Sequence, residues 1–152
     1  VSGNTDFTTE GILDTTTTLG GAEAGAFDQA ITKTDPAMVM MSLATYQSID
    51  PNNPAVFSST IIDGHIRNAL KYTGVVISDS MSADALSSYD VSQLGVKLVE
   101  AGGDMSCIGQ TDYVKPIVDG LNERAKSDPA FASKVTAAAT RVMALKIKMG
   151  LA

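Results

Sequence analysis

The polar and apolar positions of this chain alternate between two periods. Gly74-Val75-Val76-Ile77-Ser78-Asp79-Ser80-Met81 carries three β-branched residues in a row. Such a run predicts a strand buried on both faces, as parallel sheets require. Ala37 to Leu43 is a second short apolar run and Asp104 to Ile108 a third. Between them the spacing becomes helical. Ala22 to Thr34 places Ala26, Phe27, Ala30 and Ile31 on one face and stops at Asp35-Pro36, where the pre-proline residue leaves the α region. A helix capped by Ser58 or Ser59 runs to about Tyr72, with Ile61, Ile62, Ile66, Ala69 and Leu70 inward. Helices are also predicted over Val91 to Ala101, broken by Gly102-Gly103, then over Tyr113 to Lys126 and Pro129 to Met149. The last has a stripe of Val135, Ala138, Ala139, Val142, Leu145 and Ile147. A short helical stretch is expected over Ala83 to Leu86. Residues 1–20 and 46–57 read as loops.

Strands alternating with helices predict an α/β fold with parallel pairing. Three good strands are too few for a closed barrel, which needs eight strands and about 250 residues. The chain is therefore a small open α/β domain or part of a barrel. Asp79 stands out because it ends a buried strand. In parallel α/β proteins the C-terminal strand ends face the functional crevice. A structural turn or cap is the competing reading of the same side chain.

Composition narrows the field. The chain has 152 residues, with 44% hydrophobic and 18% charged, which suits a globular domain. The formal net charge of -6 disfavours nucleic acid as a partner. No apolar run is long enough to cross a bilayer. The chain opens on Val1 instead of Met, so its compartment is not read from its terminus. Cys107 is the only cysteine and reads as a small buried residue. The single His65 has no second ligand candidate nearby and reads as a packing or surface residue, so no metal is expected. No cofactor is expected either. The chain lacks a Gly-x-Gly-x-x-Gly turn and a P-loop, which disfavours a nucleotide-binding or phosphoacceptor domain.

Several segments together resemble glycoside hydrolase family 3. They are Met38-Val39-Met40-Met41-Ser42, Phe57-Ser58 and Gly74 to Met81, then Ala101-Gly102-Gly103-Asp104-Met105, and last Arg141 to Lys146 with Gly150-Leu151. Their order matches the C-terminal half of the family's N-terminal (β/α)8 barrel. The resemblance implies a partial TIM barrel, roughly strands six to eight with flanking helices. Residues 1–20 would be a loop and 21–152 the alternating part. It implies a retaining glycosidase of β-N-acetylhexosaminidase or β-glucosidase type, with Asp79 as nucleophile. Met81 and Ser42 would contact the sugar. The ending at the last barrel helix leans toward the hexosaminidase branch.

The family's Lys-His-Phe-Pro-Gly motif is absent. The hexosaminidase branch's acid/base loop, Asp-Ser-His, is replaced by Asp14-Thr15-Thr16, and Leu43 stands where the family often has a histidine. Asp14 is the leading candidate for acid/base, with Asp6 and Glu10 in the same loop. The expected partners are a carbohydrate substrate and the missing barrel half, supplied by further polypeptide or by a second copy in a homo-oligomer. The chain alone is expected to be inactive. The alternative is a non-catalytic, barrel-derived interaction or structural module. A secreted or cell-envelope setting follows from the family's habits.

Overall fold

The computed structural model describes residues 3–152. A three-stranded parallel sheet forms its centre, in the order β2 (Met38–Met41), β4 (Val75–Ser80), β5 (Met105–Cys107). Two further strands, β1 (Leu13–Asp14) and β3 (Thr45–Tyr46), pair in parallel with each other; β1 lies inside the first predicted loop and β3 reaches into the start of the second. Each has only two residues, so neither carries a local pattern. Their pairing rests on long-range bonds, Thr45 N–H to Ile12 O and Gln47 N–H to Asp14 O, both 2.8 Å.

The helices are α1 (Ala22–Thr34), α2 (Val91–Ala101), α3 (Val114–Ser127) and α4 (Pro129–Lys148). Their signals are chemical. Asp90 caps α2 by accepting from Ser92 N–H, and Gly102 ends that helix in the left-handed region at φ 102°. Asp128 caps α4 by accepting from Ala130 and Phe131, and Pro129 follows at the position where a missing N–H costs nothing. Asp35 ends α1 at φ 44°, a left-handed conformation that Asp tolerates.

The segment Thr60–Ala69 is wound more widely than the predicted α-helix. Gly64 N–H bonds Ser59 O and Leu70 N–H bonds His65 O, both at 2.9 Å and both i→i+5. The buried residues Ile61, Ile62 and Ile66 satisfy four- and five-residue spacings equally, so the sequence pattern does not separate the two. Ser58 caps this helix, its hydroxyl accepting from Ile61 N–H at 3.2 Å and donating to Asp50 Oδ2 at 2.7 Å.

One core joins the buried sheet face, this wide helix and α2, with Val56, Ile62 and Val76 fully buried. Burying side chains of this size stabilises the fold by about 1.5–3 kcal/mol each. Several expected core positions lie outside it. Phe27 is 73% exposed and Ile147 63%. Ala69 and Ala139 are exposed too, and Cys107 is a free, exposed thiol and not a core residue. The α1 and α4 stripes are narrower than their apolar content, because each helix meets the core along one line only.

Helix α3 lies close against α2. A Cβ at Gly120 would sit 1.9 Å from Ser92 O, a backbone atom that cannot step aside cheaply. Gly120→Ala is therefore expected to destabilise the protein by about 1–3 kcal/mol, the range for overpacking. Denaturant melts would show a lower midpoint with an unchanged slope.

Candidate active site

Strand alternation divides the sheet. Val39, Met41, Val76 and Ser78 point to the helices. Val76 and Ser78 are fully buried. Met40 and Ile77 are register partners on the other face, and the β4–β5 register shifts between Ile77 and Ser80, the stretch that carries Asp79. That other face is open along the β2 edge, where Met38 is 44% exposed and Met40 61%, while Val75, the partner of Met38 on the central strand, is buried. Asp79 is half-buried, at the C-terminal end of the central strand, where that register shift falls.

The Asp79 side chain is fixed locally. Its Oδ1 accepts from Ser80 N–H at 2.8 Å, while Oδ2 accepts nothing from the described residues. Serines on both sides hold the strand end. Ser78 Oγ accepts from Cys107 N–H at 2.9 Å, tying β4 to β5. Ser82 Oγ lies 3.1 Å from Ser80 Oγ and accepts from Gly109 N–H at 3.2 Å. A half-buried carboxylate with one committed and one free oxygen, on a strand fixed by its neighbours, suits nucleophilic attack.

Met81 is placed differently from its expected role. It is 1% exposed and belongs to the core, because its backbone N–H turns to Cys107 O and its side chain falls on the helix side. It supports the strand end from below and offers no surface to a sugar.

Ser42 and Asp14 come together elsewhere. Both border an apolar cavity of about 470 Å³ between α1 and the free edge of β2, lined also by Phe27, Ile31, Val39 and Ile61. Asp79 and Met81 do not border it. Ser42 Oγ accepts from Ala44 N–H at 3.0 Å.

Asp14 is 5% exposed and its carboxylate is fully engaged. Oδ1 accepts from Thr17 N–H at 2.7 Å and Thr16 N–H at 2.9 Å, and Oδ2 accepts from Thr17 Oγ1 at 3.0 Å. The backbone bonds from Thr17 and Thr16 hold its carboxyl below the usual carboxylate range. A carboxylate held ionised by donors is ill-suited to protonate a leaving group in this conformation. Asp6 and Glu10 are exposed.

His65 Nε2 lies 2.8 Å from Asp28 Oδ1, which links the wide helix to α1 at the rim of the cavity. No group of His, Cys, Asp and Glu among the described residues is arranged to hold a metal ion. No helix among them is long and apolar enough to cross a membrane.

Asp50 gives a pH signature. Burial raises its carboxyl pKa, but hydrogen bonds from Ser58, Asn53 and Asn52 outweigh that and hold it below the ordinary value. Asp14 and Asp90 are lowered as well. A depressed folded-state pKa contributes stability above the unfolded value of about 3.9, lost as pH falls through the folded one. Melting temperature is expected to fall below pH 4, less steeply in Asp50→Asn than in wild type.

The sequence of residues 4–145 matches the family model described as the glycosyl hydrolase family 3 N terminal domain. The chain belongs to glycosyl hydrolase family 3. Among solved structures, a β-N-acetylhexosaminidase from Beutenbergia cavernae is 35% identical, with a TM-score of 0.87. That match covers 95% of this chain and 43% of the other. A family 3 β-N-acetylglucosaminidase from a Paenibacillus species is 26% identical at a TM-score of 0.81, covering 92% and 27%. A protein of Arthroderma benhamiae described as an uncharacterized secreted glycosyl hydrolase is 36% identical over 69 residues, 45% of this chain and 20% of that one. The chain therefore spans less than half the length of these relatives.

Proposed function

We propose that this chain supplies the nucleophile-bearing part of a retaining glycosidase acting on N-acetylglucosamine-containing glycans. The observation that carries the reading is Asp79: a half-buried carboxylate at the C-terminal end of a parallel strand, whose Oδ2 accepts nothing from the described residues. In a retaining mechanism that oxygen attacks the anomeric carbon while an acid protonates the departing oxygen. A covalent glycosyl-enzyme forms and water then hydrolyses it, releasing the sugar with its original configuration. The acid must sit about 5–5.5 Å from the nucleophile. Asp6 and Glu10 fit an acid's needs better than the engaged Asp14. The hexosaminidase descriptions of the Beutenbergia and Paenibacillus proteins support the N-acetyl sugar.

The sheet corresponds, in this reading, to strands six to eight of a (β/α)8 barrel. Both outer edges of the β2-β4-β5 sheet lack a neighbouring strand among the described residues. Further polypeptide or a second copy would pair there and cover Met38 and Met40 in a packed barrel interior, leaving the sugar site at the C-terminal strand ends. A secreted setting is in keeping with the Arthroderma relative's description.

The test is the stereochemistry of the reaction in the native gene product. Proton NMR of an aryl N-acetyl-β-glucosaminide digest should show the β-anomer first. The isolated chain should be inactive. First-formed α-anomer would refute the mechanism. An intact product that binds partners but cleaves no glycoside would favour the interaction module, which the open Met38 and Met40 face also suits.

A further inference from the structure

We propose that the 4–8 loop forms an outer sugar subsite in which Phe7 stacks on the ring next to the reacting one. This rests on the glycosidase reading and adds the residue that would recognise a longer glycan.

Phe7 is 81% exposed on a loop that is otherwise firmly built. Asn4 organises the turn: its Oδ1 accepts from Asp6 N–H at 2.9 Å, and its carbonyl accepts from Phe7 N–H at 3.2 Å and Thr8 Oγ1 at 2.8 Å. The loop is also held from below. Gly3 has φ 122°, and a Cβ there would come within 2.4 Å of Ile12, so the chain doubles back tightly. Thr5 O accepts from Ala85 N–H at 3.1 Å, and Asp6 O accepts a longer bond from Asp84 N–H. Those two residues open the turn that follows β4, four to five positions beyond Ser80.

The loop is therefore fastened to the connection that leaves the Asp79 strand, with a phenyl ring held out in water beside it. The loop backbone is held before a ligand arrives, so binding orders only the side chain. Its surroundings select the ligand. Asp6, Thr9 and Glu10, all exposed, flank the ring with hydrogen-bonding groups. A pyranose offers the complement, an apolar C–H face edged by hydroxyls. A protein surface would find its match on the apolar Met38 and Met40 face instead. A ring fastened by the residues that follow the strand end suits the neighbouring sugar, in this reading, and not the one on Asp79.

Kinetics of Phe7→Ala in the native gene product test this. The KM for N,N′-diacetylchitobiose should rise about tenfold, while the KM for methyl N-acetyl-β-glucosaminide, which puts no ring in that place, stays within about twofold. Phe7→Trp should restore the disaccharide KM. Unchanged KM for both substrates, or equal loss of kcat on both with no recovery in Phe7→Trp, would overturn the subsite. Phe7→Trp provides a readout without turnover. This chain contains no tryptophan, so the fluorescence difference from wild type reports position 7. Chitobiose should shift that emission even if no glycoside is cleaved, a result that separates failure of the subsite from failure of the glycosidase reading. No shift on titration would overturn the subsite.

Discussion

Replacing Asp79 with Ala in the native gene product is expected to lower glycoside hydrolysis by on the order of 10⁴ to 10⁶-fold, the scale seen when a covalent nucleophile is removed. The loss should fall on kcat. The Ser78 and Ser82 bonds that hold the strand end do not involve the Asp79 carboxylate, so the fold should survive. Azide offers a readout that a structural role would not move. A small anion can enter the space left by the carboxylate and attack the same carbon of an aryl glycoside. Its product, a glycosyl azide of inverted configuration, should form with Asp79→Ala and not with wild type. Failure of rescue together with a melting temperature several degrees lower would assign Asp79 to the fold.

Asp104→Ala should have the largest effect on stability. Asp104 is fully buried at its side chain and joins three elements. Its Oδ2 accepts from Arg67 and from Val76 N–H at 2.8 Å, and its Oδ1 accepts from Arg141 Nε at 2.8 Å. Asp104 N–H in turn bonds Val76 O at 2.8 Å, so β4 and β5 exchange bonds at this point. Arg67 also reaches the carbonyls of Tyr72, Gly74 and Gly102. Removing the carboxylate leaves a half-buried and a largely buried guanidinium without their counter-charge, together with an unpaired strand N–H. Breaking a buried pair by deleting one partner costs about 3–5 kcal/mol. Urea melts should show that loss, and Arg141→Met should cost much less because its side chain is 30% exposed.

These two residues were unequally legible in the sequence. Asp79 ends a β-branched run, and a strand buried on both faces that stops at a carboxylate is a local pattern. The helices Ala22–Thr34 and Val91–Ala101 were legible for the same kind of reason, since Asp35-Pro36 and Gly102-Gly103 mark their ends chemically. Asp104 carried no such mark. Its partners lie 37 positions away on either side, and no periodicity reports a contact of that span. The β1–β3 pairing was hidden likewise, being two residues against two. Asp14 was visible as an acid but not as a turn organiser, because the donors that engage it are the backbone of Thr16 and Thr17. Phe27 and Cys107 show the converse limit. An apolar residue at a helical or strand position reads as core, yet its burial depends on what lies opposite, and here part of the sheet and of α1 faces outward.

Covalent labelling tests the central claim most directly. A 5-fluoro N-acetylglucosaminide, or a 2-deoxy-2-fluoroglucoside, with a good leaving group slows breakdown of the glycosyl-enzyme, so the adduct can be trapped in the native gene product and located by peptide mass spectrometry. The account predicts a single glycosylated peptide covering Gly74–Met81, with the sugar on Asp79. A sugar on any other carboxylate, in an enzyme that turns over the parent substrate, would contradict it.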